Sequence, residues 1–430
     1  MKLHIQGARL IDPASGLDAQ QDVFIAGNRV VGLAQPPVDF TADRVIDARG
    51  LVVMPGLVDL AARLREPGYE YRATLESEMQ AALAGGVTSL VLPPDTDPTL
   101  DEPGLIEMLK HRARLLNQAR LYPLGAMTVG LKGEKLTEMA QLTDAGCVAF
   151  SQADEPVTDT TMMLRAMQYA RTFDYALWLR PQDPWLGRGG VAAAGAYAGR
   201  LGLAGVPVQA ETIALNTLFE LQRMTDVRLH LCRISSAAGL ELVRAARAEG
   251  LRVTCDVGIH HVHLTDVDIG YFDSQSNLTP PLRSQRDRDA IRAALADGTI
   301  DAICSDHTPV DDDSKLLPFS EAEPGATGLE LLLSLTLKWA RETDTPLVKA
   351  LGRVTSMPAE VLGSRVLASC GRIEVGGTAD LCLVDLDAMW TVSAQTLCSQ
   401  GKHTPLLGIE LPGRVRTTIV DGQVVYESQA

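Results

Sequence analysis

The chain contains 430 residues, of which 46% are hydrophobic and 22% charged, and its formal net charge is −15. This composition supplies enough apolar side chains for a large core and excludes disorder as the main state. The excess of acidic residues leaves little positive charge to neutralise a phosphate backbone, which argues against nucleic-acid binding.

The two ends of the chain are predicted to form one small β domain. Near the N-terminus, two alternating runs flank Gly27-Asn28, and near the C-terminus two similar runs flank Asp421-Gly422. Two-residue turns of this kind between alternating runs predict β-hairpins. Because neither end alone buries a core, we expect residues 1–54 and 365–430 to pack together as a β-sandwich.

Residues 55–364 alternate between short apolar runs and amphipathic stretches of helical period, a pattern that favours β/α units. Eight apolar runs occur, at residues 57–64, 88–92, 121–126, 147–151, 176–180, 228–232, 252–256 and 301–305. Eight such units predict an α/β fold of the (β/α)8 TIM-barrel type. In that barrel the functional residues belong at the C-terminal ends of the strands.

The cellular compartment is predicted from the N-terminus and the cysteines. The start of the chain, MKLHIQGARLID, has no apolar h-region and no cleavage site, which argues against secretion. The sequence contains no run of about 20 apolar residues, so no membrane span is predicted. The seven cysteines are scattered without a CxxC pair, which indicates free thiols in a reducing compartment. We therefore expect a cytoplasmic protein that meets neither membrane nor nucleic acid.

A series of short motifs extends over nearly the whole chain. It begins with PGLVDLAARLREPG at residues 55–68 and continues with AGGVT at 84–88, CVAFS at 147–151, VTCD at 253–256, HH at 260–261, PPLR at 280–283, SDHTP at 305–309, GLE at 328–330 and ADL at 379–381. Their order and spacing resemble the amidohydrolase superfamily, and dihydroorotases in particular. The resemblance implies a TIM barrel with a β-sandwich, in agreement with the strand pattern.

The resemblance also implies a metal-dependent chemistry whose ligands this chain lacks. In the family, a metal at the strand ends lowers the pKa of a bound water so that hydroxide attacks an amide carbon. Its ligands are a His-x-His on strand one, a carboxylate after strand four, a His on each of strands five and six, and an Asp on strand eight. The matching residues here are Ala61, Arg63, Gln152, Ala153, Arg180, Arg233 and Asp306. Alanine has no ligand atom and guanidinium has no acceptor lone pair. We therefore expect no zinc and no catalytic residue, with Asp306 as a vestige.

The substrate positions implied by the family are also altered. Arg65, which in the family grips the substrate carboxylate, is retained, whereas Asp95, Thr279 and Val310 stand where the family has Asn, Asn and His. A carboxylate at residue 95 adds repulsion toward an anionic ligand. Dihydroorotate recognition is therefore not expected.

Three arginines at metal-ligand positions need an explanation of their own, because the decay of a site more often leaves small or polar residues. We hypothesise that Arg63, Arg180 and Arg233 replace the charge of the metal and pair with Asp306, Asp95 and other nearby carboxylates. The alternative is that they reach solvent from an open barrel mouth.

Other histidine and aspartate groups are interpreted more simply. His230 lies three residues before Arg233, which places it on the opposite face of a regular strand, in the core or on the barrel exterior. His261-Val262-His263 is interpreted as a histidine pair in a loop, with a new metal site as the alternative. The run 311–313, three aspartates, is predicted to be a solvated acidic loop.

As a whole, the chain resembles the non-catalytic dihydroorotase-like subunits, or pseudo-dihydroorotases, that hold aspartate transcarbamoylase together in pyrimidine biosynthesis. This resemblance implies a scaffold without catalysis that joins the transcarbamoylase catalytic chain in a mixed assembly of six and six. It also implies that the chain self-associates.

Two functions of other classes remain as alternatives. One is a metal-independent amidohydrolase that uses Asp306 with His261 or His307. The other is a binding module in which Arg65, Arg180 and Arg233 hold a small anion.

Overall fold

The computed structural model describes residues 1–363, 366 and 370–428. The predicted boundary between residues 364 and 365 lies outside the described residues. The strands are β1 (Lys2–Gln6), β2 (Arg9–Asp12), β3 (Leu17–Gln20), β4 (Val23–Ala26), β5 (Arg29–Leu33), β6 (Arg44–Asp47), β7 (Val52–Pro55), β8 (Leu57–Asp59), β9 (Val87–Leu92), β10 (Arg120–Pro123), β11 (Gly125–Ala126), β12 (Phe150–Ser151), β13 (Ala176–Leu179), β14 (Ala192–Ala193), β15 (Gly205–Val206), β16 (Arg228–Leu231), β17 (Val253–Gly258), β18 (Ala302–Cys304), β19 (Leu381–Thr391), β20 (Glu410–Val420) and β21 (Gln423–Glu427).

The α-helices are α1 (Leu75–Ala84), α2 (Pro103–Leu116), α3 (Met139–Ala145), α4 (Thr160–Thr172), α5 (Ala196–Leu201), α6 (Val208–Thr225), α7 (Ala237–Ala248), α8 (Ile259–His263), α9 (Gln285–Asp297), α10 (Asp312–Leu316), α11 (Leu332–Glu342), α12 (Leu347–Gly352) and α13 (Ser356–Leu362). Short 3-10 turns occupy Val129–Leu131, Asp266–Ile269, Ser274–Ser276 and Leu329–Leu331. Within the described part of the chain, none of the helices has the length and apolar content needed to cross a bilayer.

Strands from both chain ends form the predicted β-sandwich. One sheet has the strand order β5-β4-β1-β6 and the other the order β21-β20-β19-β7-β2-β3. Both predicted hairpins are present, since Ala26 pairs with Arg29 and Val420 pairs with Gln423. The core between the sheets draws buried side chains from both ends, among them Leu3, Ile5, Ile25, Leu381, Leu383 and Ile419. Burial of this shared apolar surface holds the two ends together.

Eight parallel strands form the predicted barrel between these ends. One run of strands has the order β10-β9-β8 and the next has the order β11-β12-β13-β16-β17-β18. The ring closes because β10 continues into β11, and because Ala62 pairs with His307 between the first and last strands. The interior is filled by side chains such as Val58, Val91 and Trp178. The confirmed (β/α)8 barrel places all eight strand ends around one mouth.

A helix of the outer ring shows how local sequence builds this shell. Helix α7 begins after Ser236, whose side chain accepts a hydrogen bond from the Gly239 amide, so an otherwise unpaired donor of the first turn is satisfied. Leu240, Val243 and Ala246 recur at helical spacing and are buried. Their apolar stripe packs the helix against the strands.

A buried carboxylate joins the barrel to the C-terminal segment. Glu78 on α1 accepts hydrogen bonds from His307 Nε2 at 2.6 Å, from Ser399 Oγ at 2.6 Å and from the Gln400 amide at 3.0 Å. The other ring nitrogen of His307, Nδ1, accepts from the Gly328 amide at 3.1 Å. His307 is therefore engaged on the side away from the barrel mouth.

Candidate functional site at the barrel mouth

The strand ends surround an open cavity with about 630 Å³ of empty space. Six of the predicted site residues line it, namely Arg63, Arg65, Asp95, Arg233, Thr279 and Asp306. Gln152, Ala153 and Arg180 line a neighbouring groove between α4 and α6. Ala61 and Val310 are buried in the core. The structure thus brings most of the predicted residues to one mouth and divides the rest between a groove and the interior.

Asp154 lies at the centre of the charges in this mouth. Its Oδ2 accepts from Arg63 Nη2 at 2.7 Å, and its Oδ1 accepts from Arg180 Nε at 2.5 Å and also from Arg233 Nη2. The Asp154 backbone carbonyl accepts a further hydrogen bond from Arg180 Nη2 at 3.1 Å. The three guanidinium groups outweigh the desolvation of the carboxyl and hold the pKa of Asp154 far below its usual range.

Two further carboxylates complete the cluster. Asp95 Oδ2 accepts from Arg63 Nε at 2.7 Å, and Asp306 Oδ1 accepts from Arg233 Nη1 at 3.0 Å with Arg63 Nη1 3.6 Å away. Three guanidinium charges therefore face three carboxylates, and only 6–8% of each arginine side chain is exposed. The arginines are paired inside the mouth and do not reach solvent. We name Arg63, Arg180, Arg233, Asp95, Asp154 and Asp306 the mouth cluster.

Sequence reasoning missed Asp154 because it compared the family carboxylate with residues 152 and 153 only. The available signal was the acidic residue that follows Ala153, one position beyond the end of the expected pair. Ala153 has a φ of 50°, in the left-handed region that side chains with a Cβ rarely adopt. This turn directs the chain so that residue 154 supplies the carboxylate.

The same backbone region explains the position of Arg233. The strand β16 ends at Leu231 and Arg233 has a φ of 57°, so the regular alternation of strand faces is broken there. A left-handed conformation costs a residue with a Cβ roughly 1–2 kcal/mol. The two salt bridges of Arg233 offset that cost.

His230 lies inside the barrel, one layer below the mouth. Its ring is 4.5 Å from the ring of Trp178, and its Nε2 is 3.0 Å from Asp256 Oδ2. It is a core histidine, and the exterior position that we also considered is not observed. With Cys232 and Asp256 it forms the only group of three or more possible metal ligands among the described residues, with ligand atoms within 4.8 Å of one another.

The polar atoms of His230 and Asp256 in this group are already hydrogen-bonded within the protein. Asp256 Oδ1 accepts from the Arg233 amide at 2.6 Å, and His230 Nδ1 is 2.9 Å from Thr254 Oγ1. Burial and the neighbouring Asp256 carboxylate raise the pKa of the Cys232 thiol well above its usual value. The group is therefore a hydrogen-bonded layer that supports the mouth cluster from below.

The residues at the family's metal positions do not fit zinc. Ala61 has no ligand atom, and the Gln152 amide donates to Thr128 Oγ1 at 2.9 Å and to the Leu131 carbonyl at 2.7 Å. The three guanidinium groups repel a divalent cation and offer it no lone pair. Asp154 and Asp306, the carboxylates that remain, are occupied by those same arginines.

The first prediction therefore concerns metal content. Purified protein is expected to hold well under one zinc per chain, and added zinc is expected to give no dihydroorotate turnover, because the described residues present no set of free ligands to the mouth. Elemental analysis after dialysis measures this, with a dihydroorotase of complete ligand set prepared in parallel as the control. One or two zinc ions bound per chain would contradict the reading of the mouth cluster.

The substrate positions are also engaged internally. Arg65 Nε donates to the Pro309 carbonyl at 2.8 Å, and its Nη2 lies 4.0 Å from Glu323 Oε1. Burial and the nearby Arg63 charge lower the pKa of Arg65 to about 10. The Thr279 carbonyl accepts from Arg233 Nη1 at 3.1 Å. Arg65, Asp95 and Thr279 line the cavity, and each is hydrogen-bonded within the protein.

Two interpretations of polar runs need correction. The 261–263 histidines lie in the short helix α8 and are buried, so they are not a loop pair. His261 Nε2 is 3.0 Å from the Pro280 carbonyl, and burial lowers the pKa of His261 to about 4. The 311–313 aspartates are only in part a solvated loop, because Asp311 caps α10 through the Ser314 amide at 2.7 Å. In both cases the polar residues build short helices.

Comparisons with known proteins identify the family. A dihydro-orotase-like family model matches residues 50–238, and an amidohydrolase family model matches residues 191–426. A dihydroorotase-like protein of Pseudomonas aeruginosa is 43% identical over 427 residues, covering 99% of this chain and 100% of its own length. A dihydroorotase of Syntrophotalea carbinolica is 40% identical over 428 residues, covering 99% of each chain.

Solved structures show the same fold at lower identity. The L-hydantoinase (dihydropyrimidinase) of Arthrobacter aurescens has a TM-score of 0.88 at 24% identity, covering 99% of this chain and 96% of its own. At that identity the likeness establishes the fold alone, whereas the full-length relatives establish the family. The resemblance drawn from the motifs is thereby confirmed, and the chain belongs to the amidohydrolase family as a dihydroorotase-like member.

Proposed function

We propose that the protein is a catalytically inactive dihydroorotase homologue, and that it acts in the cytoplasm as an assembly subunit of aspartate transcarbamoylase in pyrimidine biosynthesis. The observation that carries this proposal is the mouth cluster. Arginine–carboxylate pairs occupy the place where the family's chemistry needs a metal and its water. In this proposal the salt bridges of the mouth cluster stabilise the barrel and so preserve its outer surface. They supply no group that activates water at the mouth.

The names of the relatives support part of this proposal. The Pseudomonas aeruginosa relative is named dihydroorotase-like, whereas the Syntrophotalea carbinolica relative is named dihydroorotase. The family therefore includes chains under both descriptions at similar identity. We propose that this chain belongs with the former, because its metal positions hold guanidinium groups.

The structure gives less support to the two alternatives. For a metal-independent hydrolase, Asp306 is salt-bridged to Arg233, while His307 bonds to Glu78 behind the mouth. For an anion-binding module, Arg180 and Arg233 are held by Asp154. Arg65 donates to the Pro309 carbonyl and lies 4.0 Å from Glu323, so one nearly buried guanidinium is left for an anion, which is a weak site.

The proposal is tested by mixing the purified protein with the transcarbamoylase of the same organism. We expect one species far larger than either protein alone, together with a change in transcarbamoylase activity. A stable contact of this kind needs an interface of about 1,000 Å² or more. Analytical ultracentrifugation or light scattering measures the assembly.

Asp306→Ala serves as a control in the same experiment. Asp306 is 9% exposed inside the mouth and so does not face a partner, and its loss is expected to leave the large species intact. If the two wild-type proteins sediment separately at micromolar concentration and the activity is unchanged, the scaffold role is wrong.

A further inference from the structure

Two neighbouring segments carry a group of exposed apolar side chains on the mouth side of the barrel. One segment, residues 266–273, follows α8, and the other, residues 311–323, follows β18. Tyr271 and Leu316 are 91% and 82% exposed. We name the exposed apolar residues of these segments the apolar face, and it consists of Val267, Tyr271, Phe272, Leu316 and Leu317. Exposed apolar side chains on neighbouring segments that also carry polar residues are typical of an interaction site.

Hydrogen bonds between Ser274, the residue directly after the first segment, and Lys315 of the second segment hold the two segments together. Ser274 Oγ donates to the Lys315 carbonyl at 2.5 Å, and Lys315 Nζ donates back to the Ser274 carbonyl at 3.0 Å. Lys315 is 3% exposed, so its buried side chain anchors the second segment. The Tyr271 and Phe272 rings meet edge to face with centroids 5.3 Å apart. These contacts order the backbone that carries the apolar face, and such order lowers the entropy lost on binding.

The rim of this face is strongly acidic. The two segments contain Asp266, Asp268, Asp273, Asp311, Asp312, Asp313, Glu321 and Glu323. Their single basic residue, Lys315, is buried and is therefore not part of the rim. Two of the carboxylates have basic partners outside the segments, since Glu323 pairs with Arg72 and Asp312 Oδ1 is 2.8 Å from His403 Nε2. The other six keep the rim negative.

The sign of this charge determines what can cover the face. Nucleic acids and anionic membrane surfaces carry the same sign and are repelled. A second copy related by a two-fold axis would place this same rim against itself, with like charges opposed at a cost in binding energy. A protein surface with an apolar depression and an arginine- or lysine-rich border fits both the apolar centre and the rim.

We infer that the apolar face is the surface through which this chain docks its transcarbamoylase partner, by an apolar depression with a basic border on that partner. The inference rests on the proposed function and adds the location and the chemistry of the contact. It predicts that association weakens as salt rises, because the rim charges are exposed to screening.

The test is a binding titration with two double variants. Tyr271→Ser/Leu316→Ser removes the two most exposed apolar side chains of the face and is expected to weaken the complex at least about tenfold. Leu115→Ser/Met224→Ser is the matched control, because those residues are also exposed and lie on α2 and α6. It is expected to bind like the wild type. Circular dichroism checks that each variant is folded.

A pair of charge variants tests the rim independently. Asp313→Lys/Glu321→Lys changes two exposed carboxylates and is expected to weaken binding and to flatten its salt dependence. Glu107→Lys/Glu360→Lys, at exposed carboxylates of α2 and α13, is the control for the same change of net charge. If one double variant fails to fold, the other still decides the question.

The outcomes separate the inference from the proposed function. If the wild type does not bind the transcarbamoylase, the proposed function itself is wrong. If the wild type binds and both face variants bind equally well, the inference is overturned while the scaffold role stands. If the face variants instead lose self-association and keep the partner, the face is a contact between copies of this chain, which also overturns the inference.

Discussion

Replacement of Asp154 by alanine is expected to lower the free energy of unfolding by about 3 kcal/mol, because it leaves buried guanidinium groups without their shared partner. Arg63 keeps Asp95 and Arg233 keeps Asp306, but the Arg180 side chain loses the one carboxylate with which it pairs among the described residues. The Asp154 side chain is 29% accessible, so solvent moderates the loss. Urea or thermal unfolding measures it.

The matched control is Asp47→Ala, which removes a carboxylate from the exposed pair with Arg49. We expect no measurable change in its melting temperature, since exposed pairs contribute little. A second variant, Asp154→Ala/Arg180→Met, removes a positive charge as well and is expected to recover part of the lost stability. Equal melting temperatures for Asp154→Ala and wild type would show that the mouth cluster is not a structural unit.

The same side chain predicts the response to acid. Its folded-state pKa lies below the unfolded value of about 3.9, so Asp154 contributes stability that is present above that pH and is lost as the pH falls below it. Burial instead raises the pKa of Asp306. The contribution of Asp306 to stability therefore increases as the pH falls, opposite to that of Asp154. Asp154→Asn should therefore lose less stability than the wild type between about pH 4 and pH 2.

The double reversion Ala61→His/Arg63→His is expected to give no dihydroorotase turnover and a less stable protein. The other metal positions still hold residues that do not bind zinc, namely Gln152, Arg180 and Arg233. The two new histidines would therefore be the only ligands added, next to two fixed positive charges. The loss of Arg63 also leaves Asp95 without its 2.7 Å partner and removes one donor from Asp154. We expect about 3 kcal/mol of destabilisation, by analogy with other broken buried pairs.

Turnover with added zinc and the melting temperature are the two readouts for this variant. Arg63→Lys is the control, since it keeps the charge but loses the planar donor geometry, and a smaller loss of stability is expected. Substantial turnover by the double revertant would mean that the arginines do not block the metal site.

The barrel and the sandwich were predictable because their signals are local. Apolar runs, helical spacing and two-residue turns such as Asp421-Gly422 report on strands and hairpins without knowledge of distant contacts. The mouth cluster was predictable in part, since the arginines stand at motif positions. Asp154 was not, because its role depends on the unusual φ of Ala153 and on three strand ends that meet in space. The 261–263 histidines were misjudged because a buried helix of five residues has no polar face to show its period.

The pairing of β7 has a consequence for the order in which the protein folds during synthesis. Residues 52–55 form an antiparallel pair with residues 381–384 of β19. During synthesis, β19 leaves the ribosome only after the whole barrel, so β7 cannot form this pair until then. Until then the apolar side of the N-terminal strands is uncovered, and contacts so far apart in the chain form slowly. Translation that stalls between the barrel and β19 would therefore release a chain with a formed barrel and an aggregation-prone N-terminal sheet.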